Sequence, residues 1–187
     1  MTFISKSAPC QPQGAPGPQL PPGKRTTLEL YATAKEAHER WTLWPAKVRI
    51  VDVRTPEEFL FIGHPEMAWN VPIALQSWEW DEEKGRFPMK LLPDFVERVK
   101  EVFTPDLTLL VMCRSGGRSA LAVNLLAEAG FKEAFNVTDG MEGDPVENPG
   151  SPDHGRRLVN GWKNAGLPWT YAIDPERMRL PSRFPST

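Results

Sequence analysis

A chain of 187 residues, of which 40% are hydrophobic, can supply one core of ordinary size, so we expect a single domain with tails. Residues 1–25 and 171–187 carry net charges of +3 and +1, and removing them from the total of −2 leaves about −6 on residues 26–170. This acidic balance argues against a nucleic acid as a direct partner, and no apolar run is long enough to span a membrane.

The first 25 residues contain six prolines, three glycines and no acid, and this composition buries too little apolar surface to offset the entropy of ordering. We expect a disordered arm over residues 1–25, with Pro21-Pro22-Gly23 as its hinge, and a polar tail over residues 171–187. The N-terminus lacks the apolar segment of a secretory signal, so we expect a cytoplasmic protein. A periplasmic origin stays open if a leader has been removed, and the sequence does not indicate the oligomeric state.

Apolar periodicity and turn residues predict strands that alternate with helices. The predicted strands are residues 26–30, 48–53, 70–73, 108–112 and 134–137. The predicted helices are residues 33–42, with Thr33 as the N-cap, 56–61, 92–103, and 119–129, which ends at Gly130. Residues 77–89 are expected to form an exposed excursion. This order predicts one α/β domain over residues 26–170, with a central, mostly parallel sheet and helices on both faces. Ligands of such folds bind beyond the carboxyl ends of the strands.

The segment CRSGGRS, residues 113–119, lies between a predicted buried strand and a predicted helix. A loop that leads from a strand into a helix N-terminus presents backbone N–H groups to an anion. A helix N-terminus and nearby arginines also favour a thiolate over a thiol, so Arg114 and Arg118 favour the nucleophilic form of Cys113. We predict that this loop is the active site and that Cys113 is its nucleophile. The alternative is an inert, buried cysteine.

The other residues of the loop are predicted to bind the substrate. The two glycines shape the turn that aims successive amides inward. One arginine grips an incoming oxyanion and the other anchors the loop; the sequence leaves open which, although Arg114 directly follows the nucleophile. The two serines offer hydroxyl donors to the sulfur, although Ser119 also suits a helix cap, the role that we expect for it. The predicted substrate-binding residues are Arg114, Ser115, Gly116, Gly117, Arg118 and Ser119.

The spacing within the loop narrows the chemistry. Four residues separate Cys113 from Arg118, one fewer than cysteine-dependent phosphatases place between their nucleophile and arginine. A shorter ring of amides suits one extra sulfur atom on Cys113 and crowds the oxygens of a phosphate. The spacing therefore favours sulfur chemistry over phosphate chemistry.

Three segments, in this order, resemble the rhodanese-homology domains, and the single-domain sulfurtransferases among them in particular. They are VDVRTPEEFLFIGHPEMAWNVPI (residues 51–73), the loop CRSGGRS, and the closing segments Asp139-Gly140 and GWKNAGLPW (residues 161–169). The resemblance covers roughly residues 26–169. It implies a rhodanese-like domain, sulfur transfer through a Cys113 persulfide, and no cofactor.

The resemblance also implies the reactants. The donor is thiosulfate or a similar sulfane compound, and the acceptor is cyanide, a small thiol or a protein cysteine. One alternative is a sulfur carrier or interaction module that serves a partner protein without turnover. A phosphatase or arsenate reductase that acts through Cys113 is a further alternative, which the loop length disfavours.

Several polar residues outside the loop are expected to be structural. Asp52 and Arg54 follow a strand and suit an ion pair that braces the loops, and His64 suits a structural role. No metal is expected, because the histidines have no ligand-like spacing with Cys113.

Residues 144–160 form a longer link than is usual in the family before the closing segment. Arg156 and Arg157 in this insertion either line the mouth of the site or meet a partner protein. A solvated surface loop is the alternative that we favour, because long loops are tolerated at little cost.

Overall fold

The central element of the protein, as described by a computed structural model for residues 20–181, is a five-stranded parallel sheet. The strands in chain order are β1 (Tyr31–Ala32), β2 (Val48–Asp52), β3 (Trp69–Asn70), β4 (Ala74–Gln76), β5 (Met89–Leu91), β6 (Thr108–Met112) and β7 (Ala134–Val137). The sheet has the order β1-β7-β6-β2-β3, and β4 and β5 form a separate antiparallel ribbon. Strand β6 lies between β2 and β7, so its carboxyl end opens at the centre of the sheet.

Within the described residues, four α-helices flank the sheet, and two of them begin with a side-chain cap. They are α1 (Ala34–Leu43), α2 (Pro56–Ile62), α3 (Phe95–Lys100) and α4 (Gly117–Glu128). Thr33 and Thr55 each begin a helix with a capping box, in which a glutamate three residues later returns a hydrogen bond to the backbone. Two short 3-10 helices, Pro22–Lys24 and Pro175–Arg177, lie near the ends of the described chain.

Alternate side chains of the strands build a core on each face of the sheet. In β6, Leu109 and Val111 belong to a cluster that α3 and α4 complete, whereas Leu110 and Met112 belong to a cluster that α1 and α2 complete. This alternation follows from the two-residue period of a strand. Among residues 20–181, no helix is long and apolar enough to cross a bilayer.

The predicted fold class is confirmed: the sheet is mostly parallel and carries helices on both faces. The predicted helix capped by Thr33 and the glycine after α4 are also confirmed, and Gly130 has a φ of 97°. The predicted strand over residues 26–30 is wrong, because the pairing with β7 begins only at Tyr31. The predicted helix over residues 92–103 is shorter, and the excursion over residues 77–89 joins the paired strands β4 and β5.

The predicted arm lies mostly outside the described residues, which begin at residue 20. Its described part corrects the prediction, because Pro22–Lys24 forms a 3-10 helix that packs beside α4. At the other end, the described residues of the predicted tail pack on the domain. Met178 bridges to Asn70, and the Arg179 carbonyl accepts a hydrogen bond from Arg98.

Candidate active site

The reactive loop, residues 113–119, connects β6 to α4, as the sequence predicts. Cys113 follows the last residue of β6, and its side chain belongs to the core cluster beside α4, with 2% of the residue exposed. Gly116 is the N-cap of α4, and its N–H group lies 3.2 Å from Cys113 Sγ. An α-helix leaves its first N–H groups without intrahelical partners, so the sulfur lies where such donors converge.

The segment after β7 fixes the peptide orientations at the start of the reactive loop. The Met141 N–H donates to the Cys113 carbonyl at 2.8 Å, and the Glu142 N–H donates to the Arg114 carbonyl at 3.0 Å. Because a trans peptide places its C=O and N–H on opposite sides, the N–H groups of Arg114 and Ser115 are turned away from this segment. Among the described residues, neither of these two N–H groups donates a hydrogen bond to a backbone acceptor in a loop or turn.

Gly116 is required at its position for two reasons. Its φ of 96° lies in the left-handed region, which side chains rarely adopt. A Cβ atom there would lie 2.3 Å from the Thr138 carbonyl oxygen, which belongs to the backbone and cannot move aside easily. The glycine therefore sets both the turn and the close approach of the reactive loop to the residue after β7.

Ser119 does not cap α4, which corrects the expected role; Gly116 is the N-cap and no side chain caps it. The Ser119 Oγ lies 2.7 Å from Asn136 Oδ1 and 3.4 Å from Cys113 Sγ. Asn136 Nδ2 donates to the carbonyls of Lys24 and Gly116, at 2.9 and 3.1 Å, so its Oδ1 is the acceptor for the serine. The Ser119 hydroxyl lies within donating distance of both Asn136 Oδ1 and Cys113 Sγ, and the contact with Asn136 is the shorter.

Sequence reasoning missed Asn136, although it touches two parts of the site. It lies in β7 and is fully buried, and a polar residue in an otherwise apolar strand is the signal that marks it.

The two arginines of the loop are in different environments. Arg118 donates from both terminal nitrogens to Glu58 of α2, each at 2.6 Å. Burial would lower the pKa of Arg118, but the hydrogen bonds and charge of Glu58 outweigh it and raise that pKa. Arg114 is exposed beside the nucleophile. Arg118 therefore anchors the loop to α2, whereas the Arg114 side chain is exposed to solvent.

The expected ion pair of Asp52 and Arg54 lies at the end of β2 and is fully buried. Arg54 Nη2 donates to Asp52 at 2.6 Å and to the Gly63 carbonyl at 2.8 Å. Burial would lower the pKa of Arg54, but Asp52 outweighs it and raises the pKa, with smaller contributions from Glu58 and Glu142. The pair braces the segment that begins α2, and the charge of Glu142 acts on it from the segment after β7.

His64 follows Gly63, whose carbonyl accepts a hydrogen bond from Arg54, and its own contacts are structural. Its ring stacks on Phe59, with ring centroids 3.7 Å apart, and only 3% of the residue is exposed. Burial lowers the pKa of His64. Within residues 20–181, no group of three or more histidine, cysteine or acidic residues could hold a metal ion.

The insertion, residues 144–160, folds back on itself and separates its two arginines. Val146 and Arg156 pair through their backbones, and the Arg156 side chain forms an ion pair with Asp153. Arg157 instead donates to the carbonyl of Gly143, and the Gly143 N–H donates to the carbonyl of Arg114 in the reactive loop. Asp144 forms an ion pair with Lys24 at 2.8 Å. The two ends of the insertion therefore contact the site, while residues 147–150 between them are exposed.

The fold and the site together define a class of protein: a parallel α/β domain that delivers one cysteine into a loop capped by a helix N-terminus. A family profile described as "Rhodanese-like domain" matches residues 33–143, more than half of the chain. The chain belongs to the rhodanese-like domain family.

Individual relatives support this assignment. The chain is 30% identical over 122 residues to the uncharacterised protein RP600 of Rickettsia prowazekii. The aligned region covers 65% of this chain and 82% of that protein. It is 39% identical over 92 residues to thiosulfate sulfurtransferase 16, chloroplastic, of Arabidopsis thaliana. This alignment covers 49% of this chain and 69% of that protein. The crystal structure of Rv0390 from M. tuberculosis is similar, with a TM-score of 0.59 and 28% identity over 76% of this chain and 99% of that one.

Proposed function

We propose that the protein is a sulfurtransferase that carries sulfur on Cys113. The Cys113 thiolate attacks the outer sulfur of thiosulfate or a similar sulfane donor. A bond forms between Sγ and this sulfur, the S–S bond of the donor breaks, and sulfite leaves with the bonding electrons. A thiophilic acceptor such as cyanide, a small thiol or a protein cysteine then removes the sulfur, and Cys113 returns to the thiolate. Two half-reactions on one nucleophile give ping-pong kinetics.

The observation that carries this proposal is the position of Cys113 Sγ at the N-terminus of α4. The sulfur accepts the Gly116 N–H, and further amides at the helix start are available to a second sulfur with negative charge. Only 2% of Cys113 is exposed, so the terminal sulfur of a slender donor reaches it more readily than the hindered phosphorus of an ester.

The predicted binding residues have distinct roles in this reaction. Arg114 receives the sulfonate end of the donor, because it is exposed and its guanidinium can donate two parallel hydrogen bonds. The amides of Ser115, Gly116 and Gly117 surround the transferred sulfur. Arg118 holds the loop through Glu58 and adds positive charge near it. The relative whose name gives an activity, a thiosulfate sulfurtransferase, supports the same donor.

The test is the intact mass of the protein after incubation with thiosulfate and removal of excess reagent. We expect the wild type to gain the mass of one sulfur atom and the Cys113→Ser variant to gain none. Cys10→Ser is the matched control, because it removes the other cysteine of the chain and should keep the gain. A wild type without the added sulfur, or a gain that follows Cys10, would overturn the proposal.

A further inference from the structure

A small open cleft lies beside the reactive loop and has no part in the steps above. We call it the acceptor cleft, and it is lined by Ile62, Glu142, Arg157, Lys163 and Asn164. Its volume of about 210 Å³ is below the roughly 300–1,000 Å³ of sites for drug-sized ligands, so its ligand is small.

One wall of the acceptor cleft, Glu142, is connected to the reactive loop by backbone hydrogen bonds. Glu142 donates its N–H to the carbonyl of Arg114, the residue that follows the nucleophile. The next residue, Gly143, donates to the same carbonyl at 3.2 Å and accepts a hydrogen bond from Arg157. The backbone that forms this wall of the cleft is therefore hydrogen-bonded to the residue that follows Cys113.

The charges of the cleft match a ligand with two opposite charges. Lys163 and Arg157 supply positive charge. Arg157 uses one of its five N–H donors in the hydrogen bond to the Gly143 carbonyl. Lys163 is held in place by the Ile62 carbonyl, at 2.8 Å, and by the Trp169 ring, 3.7 Å from its Nζ. Glu142 Oε1 is buried and has no hydrogen-bond partner among the described residues. A buried acceptor without a partner is costly, and an ammonium group of a ligand would satisfy it.

We infer that the acceptor cleft binds the amino-acid end of a small thiol, with its carboxylate on Arg157 and Lys163 and its ammonium on Glu142. This inference rests on the proposed function and names the class of acceptor. The bound thiolate attacks the outer sulfur of the Cys113 persulfide, a new S–S bond forms on the acceptor, and the bond to Sγ breaks and leaves its electrons on Cys113. The products are a small-molecule persulfide and the free thiolate enzyme, so no oxidant or reductant is needed.

The experiment follows the second half-reaction alone. The protein is loaded with thiosulfate, the persulfide is verified by intact mass, and its loss is timed after mixing with one of four acceptors. The acceptors are cysteine, 3-mercaptopropionate, which lacks the ammonium, cysteamine, which lacks the carboxylate, and cyanide. The thiols are compared at equal thiolate concentration.

We expect cysteine to discharge the wild-type persulfide faster than either truncated thiol. Arg157→Ala should lower the rate with cysteine relative to cyanide by about tenfold, the effect of losing one charged contact. Glu142→Gln should lower the rates with the two amines and spare 3-mercaptopropionate. Arg156→Ala is the matched control, because Arg156 is the adjacent arginine but is exposed and pairs with Asp153, and it should change none of the ratios.

The outcomes separate the two proposals. Absence of the persulfide after loading would overturn the proposed function and the acceptor cleft together. Normal loading, followed by equal rates for cysteine and cysteamine or equal effects of Arg156→Ala and Arg157→Ala, would overturn the cleft alone.

Discussion

The side-chain amide of Asn136 joins the reactive loop to Lys24, which is distant from that loop in sequence. It holds the Lys24 carbonyl, the Gly116 carbonyl at the start of α4, and the Ser119 hydroxyl that faces the sulfur. Since each contact uses a different atom or hydrogen of the amide, no smaller side chain can replace all three. Asn136 is thus a positioning residue, which acts on Cys113 through its neighbours.

We predict that Asn136→Ala slows persulfide formation by about 10- to 100-fold, because small displacements of reacting groups have effects of this size. The measurement is the rate of sulfur loading at saturating and at limiting thiosulfate. In addition, alkylation of Cys113 by iodoacetamide is followed against pH, since a merely structural role for Asn136 would not move that profile.

Two variants control this prediction. Asn136→Asp keeps an oxygen that accepts from Ser119 but sets a carboxylate oxygen against the Lys24 and Gly116 carbonyls, so it should not recover the rate. Asn124→Ala removes an amide of α4 that accepts from the Thr27 backbone, a comparable contact away from the sulfur. Equal losses for Asn124→Ala and Asn136→Ala would refute the positioning role.

The position of the reactive loop could be predicted from the sequence, because Cys113 follows an apolar strand and its glycines precede a helix, as β6 and α4 show. Hydrogen-bond partners could not, because a hydroxyl has several neighbours within reach and the closest one is set by a distant strand. Ser119 illustrates this: its position in the first turn of α4 suggests a cap, whereas its shorter contact is with Asn136 of β7.

At the scale of secondary-structure elements, the ion pair of Glu58 and Arg118 links α2 to α4. Glu58 also belongs to the capping box of α2, in which it accepts from the Thr55 backbone. Burial would raise the pKa of Glu58, but the hydrogen bonds and charge of Arg118 outweigh it and lower that pKa. The two side chains are about one-fifth exposed, so solvent weakens their attraction less than at an open surface.

We predict that Glu58→Gln lowers the free energy of unfolding by about 1–2 kcal/mol, since glutamine keeps the capping box and removes the charge that binds Arg118. Urea unfolding at neutral pH measures this change. Glu57→Gln is the control, because Glu57 is exposed in the same helical turn and should change stability little. Similar losses in both variants would assign the effect to helix charge rather than to the link between helices.

Elements with strong local signals could be predicted, and those that depend on pairing partners could not. Thr33 and Thr55 mark their helices through capping boxes within four residues of chain. Strand β1 has two residues and exists because Tyr31 and Ala32 pair with Asn136 and Val137, far along the chain. Local propensity over residues 26–30 could not reveal that register.

At the scale of the whole molecule, His64 joins the segment that follows α2 to the C-terminal segment around Thr170. Its backbone exchanges two hydrogen bonds with Thr170, at 3.0 and 2.8 Å, while its ring is buried against Phe59. Because burial lowers the pKa of His64, the folded protein holds the ring neutral over a pH range in which the unfolded chain is already protonated.

The sign of the pH dependence follows from that difference in bound protons. Stability from the neutral ring is fully present above the ordinary histidine value of about 6.5 and is lost as the pH falls towards the lowered pKa of the folded state. We predict that the free energy of unfolding, measured by urea titration, decreases between about pH 7 and pH 5. The slope should be smaller in His64→Gln and unchanged in His154→Gln, whose histidine is exposed in the insertion. Parallel slopes in wild type and His64→Gln would show that other groups control stability in this range.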